Sequence, residues 1–323
     1  MKRICTRETL NKVIGSICFV LVLVLLLLLL SYCFYPRNSK DATMQEVKPA
    51  GLLAEKENTI DALILGDSEA FTAFSPVLMY SEQGFSSYVC ATASQYVSLT
   101  KSFVNDALTK QTPKVIFLET YSFYRKMRAD NAFMTKLQNK FSIIEYHNRW
   151  KSFFSLPSEQ NSDYSWTDDL KGFKYANLTA PVKPKKYMKA SKQIKEIPAA
   201  NVECIYAIND VCKSKGIRLV FVSSPSQKNW NYEKHNGIQE LADRLKVDYI
   251  DLNLEPSIQI DWRKDTADRG DHLNLKGAHK VSSFFAKYVS QRYDLPDHRN
   301  DKAYSDWNAL IKQYKEMVYS KIS

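Results

Sequence analysis

The chain has 323 residues, a formal charge of +10 and 45% hydrophobic residues. No cluster of cysteine and histidine has zinc-ligand spacing, and no basic run interleaves with aromatics, which argues against a zinc module and a nucleic-acid binder. The six cysteines define no disulfide framework; Cys204 and Cys212 stand eight residues apart on a predicted helix, roughly 12 Å, too far for a bridge.

Residues 13–35 carry no charge and include six consecutive leucines. At 1.5 Å per residue such a helix crosses a bilayer core of about 30 Å. A signal-peptide core is shorter and ends in a small-residue cleavage site, so the stretch reads as an uncleaved anchor. Tyr32, Phe34 and Tyr35 suit the far interface. Lys2, Arg3, Arg7 and Lys12 precede it against one acid, Glu8. The positive-inside rule then makes residues 1–12 a cytoplasmic tail and places the rest outside the cell membrane. The exported part keeps most of the positive charge, which suits anionic glycopolymer or lipid headgroups and equally suits ordinary solubility.

Residues 36–58 form a polar linker with Pro49 and Gly51, ending in a short helix. A buried strand at 61–65 runs into Gly66-Asp67-Ser68. A serine at that strand end has its hydroxyl at the sheet edge and its N–H at a helix start, as a nucleophile with half an oxyanion hole requires; a plain helix cap reads the same way. Residues 70–83 predict a helix, with Ser75-Pro76 as a start signal. A second strand at 85–90 empties into small residues. An amphipathic helix follows at 96–110, then a third strand at 115–119 ending in Glu119-Thr120. This is β-α-β-α-β with short connections, and right-handed crossovers cover both faces of the sheet.

Residues 125–198 break the rhythm with basic residues and aromatics, among them Trp150, Phe153, Phe154, Trp166 and Phe173. The insertion is a candidate lid or substrate wall, or a decoration with its own small core. The α/β pattern resumes with a helix at 202–213, a strand at 217–223, a helix at 233–245 and a strand at 247–251. Asn231 and His235, after the fourth strand, either touch substrate or cap and pack the next helix. A polar turn then presents His272 ahead of a helix at 276–293. A histidine there takes a serine proton if a carboxylate holds its other nitrogen. His279 reads as a surface residue, and His147 and His298 have no evident partner. The α/β domain spans 59–298, and a last, peripheral helix lies within 299–323.

Leu65-Gly66-Asp67-Ser68, and Asp268 with His272-Leu273-Asn274, Gly277-Ala278 and Lys280, together resemble the SGNH/GDSL hydrolase superfamily. The similarity covers about residues 60–124 and 200–295. It is nearest to the membrane-anchored extracytoplasmic branch, which includes the D-alanyl-transfer protein of teichoic-acid modification and O-acetylation proteins that work beside membrane-bound O-acyltransferases. The resemblance implies a three-layer α/β/α, flavodoxin-like parallel sheet of order 2-1-3-4-5, ester chemistry, and neither metal nor cofactor. It implies Ser68 as nucleophile, His272 as general base, and oxyanion donors from Ser68 N–H and the stretch Thr92-Ala93-Ser94.

The chain departs from the superfamily twice. Arg269 stands three residues before the histidine, where the acid is usual, so the acid is Asp268 or Asp271, with Asp268 preferred. The usual Gly-x-Asn-Asp block is replaced by Glu119-Thr120-Tyr121. The expectation is a membrane-anchored, extracytoplasmic serine esterase or O-acyltransferase acting on cell-envelope glycopolymer esters. The alternative is a non-catalytic module of the same fold that partners a membrane-bound O-acyltransferase.

Overall fold

The computed structural model describes residues 7–34, 51–126 and 168–318, with a few positions between 137 and 146. Two units are distinct.

The first unit holds α1 (Arg7–Phe34), a helix long and apolar enough to cross a membrane. Near its C-terminal end Ser31 is buried, and its Oγ accepts at 3.1 Å the N–H of Ile143, which opens the short helix α5 (Ile143–Tyr146). Of the insertion, the described positions between 137 and 146 group with α1, and residues 168–198 group with the second unit. Trp150, Phe153, Phe154, Trp166 and His147 lie outside the described residues, as does most of the linker.

The second unit is an α/β domain built on five parallel strands in the order β2-β1-β3-β4-β5. They are β1 (Ala62–Gly66), β2 (Ser87–Ala91), β3 (Val115–Glu119), β4 (Arg218–Ser223) and β5 (Asp248–Asp251). The first three are buried along their whole length, as apolar runs covered on both faces must be. Alternate residues feed two cores. Leu63, Leu65, Ile116, Leu118, Leu219 and Phe221 face α4 (Val97–Ala107), α6 (Ala199–Ser214) and α7 (Tyr232–Leu245). Ile64, Phe117, Val220 and Val222 face α2 (Ser68–Ala73) and α8 (Leu275–Arg292). Phe285 of α8 seals the second layer with its ring 4.8 Å from Phe74 and 5.0 Å from Phe117.

The helix expected over 70–83 is two helices, α2 and α3 (Pro76–Gln83). Pro76 has no N–H to continue a ladder and holds Ser75 extended, at φ −108° and ψ 99°. The last helix, α9 (Ser305–Val318), is not peripheral. Trp307, Tyr314 and Val318 lie on one face and are buried, with the Trp307 ring 5.0 Å from Tyr80 of α3. His298 also has partners: Nε2 lies 3.0 Å from Asp61 Oδ2, and its ring stacks on Tyr304 at 3.8 Å. His279, expected at the surface, is half-buried.

Residues 168–198 form an extended strap. Lys171 O accepts the Val89 N–H of edge strand β2, Lys174 N–H reaches Phe71 O, Ala180 O accepts the Arg269 N–H, and Lys195 N–H reaches Glu233 O. The strap thus runs from the sheet edge, past the start of α2, to the turn that carries His272.

Candidate active site

Gly66 closes β1 because nothing larger fits: a Cβ there would stand 2.6 Å from Glu119 Cβ and 3.0 Å from Ala70 Cβ. Asp67 caps α2, its Oδ1 accepting the Glu69 N–H at 3.1 Å, while Oδ2 lies 2.8 Å from Arg125 Nη2. Ser68 is then the first residue of α2, where an N–H has no intrahelical acceptor.

His272 comes from a turn organised by Thr266. The Thr266 hydroxyl donates to His272 O at 3.0 Å and accepts the N–H groups of Gly270 at 2.7 Å and Asp268 at 3.4 Å. Arg269 and Gly270 are both left-handed, at φ 65° and 86°. This pair of residues curls the chain so that an acid four positions before the histidine reaches it. Asp268 Oδ1 accepts the His272 N–H at 2.6 Å, and Oδ2 lies 2.6 Å from Nδ1.

His272 Nε2 is 2.8 Å from Ser68 Oγ, although the residues are 204 positions apart. Because the Asp268 carboxylate accepts only, it places the imidazole proton on Nδ1 and leaves Nε2 free to accept from the serine hydroxyl. Such a chain of groups can activate a serine oxygen. Asp271, the other candidate acid, is not placed for that role. Its Oδ1 is 3.8 Å from Nδ1, and its Oδ2 takes the Lys228 ammonium at 2.5 Å.

Thr92, Ala93 and Ser94 follow β2, which neighbours β1 in the sheet, with Gly66 opposite Ala91. They sit in the loop beside the one that carries Ser68. The Thr92 N–H is already spent on Gln95 Oε1 at 2.9 Å, which removes it as an oxyanion donor. Ala93 and Ser94 are exposed, and no hydrogen bond among the described residues joins either to Ser68.

Glu119 lies beneath Gly66, fully buried. Oε2 accepts from Tyr121 N–H at 3.0 Å and Oε1 from the Ser224 hydroxyl at 3.1 Å. Both oxygens face these partners, and no hydrogen bond among the described residues joins Glu119 to Ser68. Burial and the neighbouring Asp67 push its carboxyl up to about 8. Burial raises Glu69 well above the carboxylate range, with Glu119 and Asp67 adding to it. Burial also raises Asp67, against the pull of Arg125.

Asn231 and His235 serve the fold rather than this site. Asn231 caps α7, accepting the Lys234 N–H at 2.9 Å. His235 Nδ1 lies 2.8 Å from Asp251 Oδ2, which also takes Trp230 Nε1 and Tyr249 OH. The residue from that segment that does reach the site is Asn229, whose amide donates to Glu69 Oε1 at 2.8 Å and to Asp271 Oδ1. Sequence reasoning missed it along with Glu69, Arg125 and Thr266. The polar run after β4 was the available signal, and it pointed two residues too far along. Glu69, Asp271 and His272 bring potential metal-ligand atoms within 4.8 Å of one another, but the Asn229 amide already bridges the two carboxylates.

No protein-family model matches the chain, and no curated protein matches it in sequence. Solved structures similar to it include a candidate acylhydrolase of Bacteroides fragilis, 9% identical, covering 80% of this chain and 100% of that one at a TM-score of 0.36. A GDSL-like lipase of Bacteroides thetaiotaomicron is 8% identical, covering 72% and 88% at 0.35. A protein of Streptococcus pneumoniae described as a candidate platelet activating factor is 14% identical, covering 76% and 91% at 0.40.

Proposed function

We propose that this chain is a membrane-anchored serine esterase or O-acyltransferase that works outside the cell membrane on esters of a cell-envelope glycopolymer. The observation that carries the reading is the continuous line from Ser68 Oγ to His272 Nε2 at 2.8 Å and from His272 Nδ1 to Asp268 Oδ2 at 2.6 Å. In this reading Ser68 Oγ attacks the ester carbonyl while its proton passes to His272 Nε2. The tetrahedral oxyanion forms beside the Ser68 N–H at the start of α2. Collapse breaks the bond to the alkoxide, which leaves with the proton from Nε2 and yields an acyl-Ser68. Water or an acceptor hydroxyl then attacks the acyl carbon and gives its proton to His272; the acyl–Oγ bond breaks, and Nε2 returns that proton to Ser68 Oγ.

In the same reading α1 is an uncleaved anchor, the N-terminus is cytoplasmic and residues 36–58 are a linker. A permanent anchor suits transfer from an acyl group delivered at the membrane, with a membrane-bound O-acyltransferase as partner. A binding module that kept the fold without the chemistry needs no serine within hydrogen-bond distance of a carboxylate-held histidine, so the geometry favours catalysis.

The test is labelling of the full chain in detergent with a serine-reactive fluorophosphonate, followed by peptide mapping. An adduct on Ser68 that disappears in His272→Ala is expected. A folded protein that takes no label at Ser68 refutes the activated nucleophile.

A further inference from the structure

The Ser68–His272 contact joins two separately built pieces of chain: the first residue of a six-residue helix, and a turn with two successive left-handed residues. A displacement of about 1 Å between such groups costs on the order of 10²-fold in rate. We infer that Asn229 is the positioning residue that fastens these two pieces in register, by bridging Glu69 and Asp271 with one side-chain amide. The inference rests on the catalytic reading of Ser68 and His272.

Glu69 is the residue after the serine and Asp271 the residue before the histidine. Asn229 Nδ2 donates to Glu69 Oε1 at 2.8 Å and to Asp271 Oδ1. Among the hydrogen bonds of the described residues, this amide is the one side chain outside the Ser68–His272 pair itself that touches both pieces. Its orientation is set by Asp271: turned over, the amide oxygen would face that carboxylate, which only accepts.

Asn229 is itself held firmly. Its N–H reaches Ser226 Oγ at 3.3 Å, and its carbonyl accepts the Lys234 ammonium at 2.5 Å. The rest of the loop grips the same turn. Lys228 N–H donates to Gly270 O at 2.9 Å, and Ser226 Oγ donates to Asp271 O at 2.8 Å. Those bonds fix the histidine turn to the loop after β4 but leave the serine helix out. The backbone strap also bonds both pieces, but among the side chains of the described residues the Asn229 amide is the one that closes the triangle between strand ends β1 and β4 and the histidine turn. This also gives Asp271 a role, as the anchor point of the clamp.

The test compares wild type, Asn229→Ala and the isosteric Asn229→Asp as full chains in detergent, each checked for an unchanged melting temperature. Two readouts are taken: kcat and KM on p-nitrophenyl acetate, and hydrogen exchange of the peptide spanning 266–273. Removing the clamp should lower kcat 10- to 100-fold with KM within twofold, and N229D, which sets a second acceptor-only carboxylate against Asp271, should fall further. Exchange in 266–273 should quicken at least tenfold while β1 and β3 stay protected. If N229A does not fold, N229D carries the comparison alone.

Unchanged exchange in both variants overturns the clamp whether or not the protein is an esterase. Faster exchange with kcat unchanged overturns the positioning role. If wild type neither labels at Ser68 nor turns over ester, yet exchange in 266–273 quickens in the variants, the clamp stands and the catalytic reading falls.

Discussion

Asp268→Asn is the sharpest test of which acid serves His272. Asp268 uses its two oxygens differently, one on the His272 backbone N–H and one on Nδ1, both at 2.6 Å. In the variant the amide oxygen stays on the backbone N–H, since an NH₂ there would face a donor. The NH₂ must then face Nδ1, which drives the ring proton to Nε2, where it meets the serine. The Asp268 side chain is 44% exposed, so water screens its charge. Opposite charges about 3 Å apart at an effective dielectric near 40 interact by about 3 kcal/mol, or about two decades in rate. The wrong tautomer adds to this, while the loss seen with a fully buried acid, about 10⁴, sets the ceiling. We expect kcat on p-nitrophenyl acetate to fall about 10²- to 10³-fold, with fluorophosphonate labelling of Ser68 slowed in parallel. Asp271→Asn should cost less than about tenfold, because its amide oxygen can still accept from Asn229, and the 59% exposed Lys228 can swing into water. Losses of equal size in the two variants, or a D268N enzyme within threefold of wild type, would refute this assignment.

The sheet was legible because its strands are short continuous apolar runs closed by small or polar residues, and buried parallel strands leave that trace. Val115 to Glu119 is bounded by Pro113-Lys114 on one side and Thr120 on the other, and β3 occupies those five residues. Where two local signals overlapped, the reading slipped. Ser75-Pro76 reads as a helix start and α3 does begin there, but the residues before it, read into the same helix, form the separate α2. The burial of α9 was illegible because its partner, Tyr80, lies more than two hundred residues away, and amphipathicity alone does not reveal what a face meets. At the site, Ser68 and His272 were found from strand-end and turn chemistry. The spacing of the acid was legible in part: Gly270 is a residue free to turn left-handed, but nothing in a sequence announces that Arg269 beside it also stands at φ 65°. Asn231 and Asn229 are equally polar and two positions apart. Which one caps a helix and which one bridges two carboxylates is settled by where the helix begins, within the uncertainty of any boundary read from sequence.

Gly66→Ala should yield little folded protein or lower the melting temperature sharply, since its Cβ would meet two Cβ atoms fixed to strand and helix backbone; a soluble variant with wild-type stability would contradict that packing. Lys171→Met should lose about 3–5 kcal/mol in urea unfolding, because it strands Glu55, whose carboxyl burial already raises, without its partner at 2.7 Å. Adding Glu55→Gln should restore much of that loss, and a double variant no better than the single one would count against it. Glu119 makes the domain lose stability as pH rises from the ordinary carboxylate range to about 8. Its folded carboxyl titrates at about 8 against an ordinary value of 4.5, because burial and Asp67 oppose the charge. Between those two values the native state holds a proton that the unfolded chain has released. Stability must therefore fall as pH rises through that window and level off above it. Glu119→Gln removes the proton exchange, while its altered hydrogen bonds to Tyr121 and Ser224 contribute equally at every pH. The unfolding free energy of wild type, measured against the variant from pH 5 to pH 9, should thus decline steadily to about pH 8 and then run parallel. Curves parallel throughout would mean that Glu119 is ionised in the native protein, held so by its Tyr121 and Ser224 donors against the cost of burial.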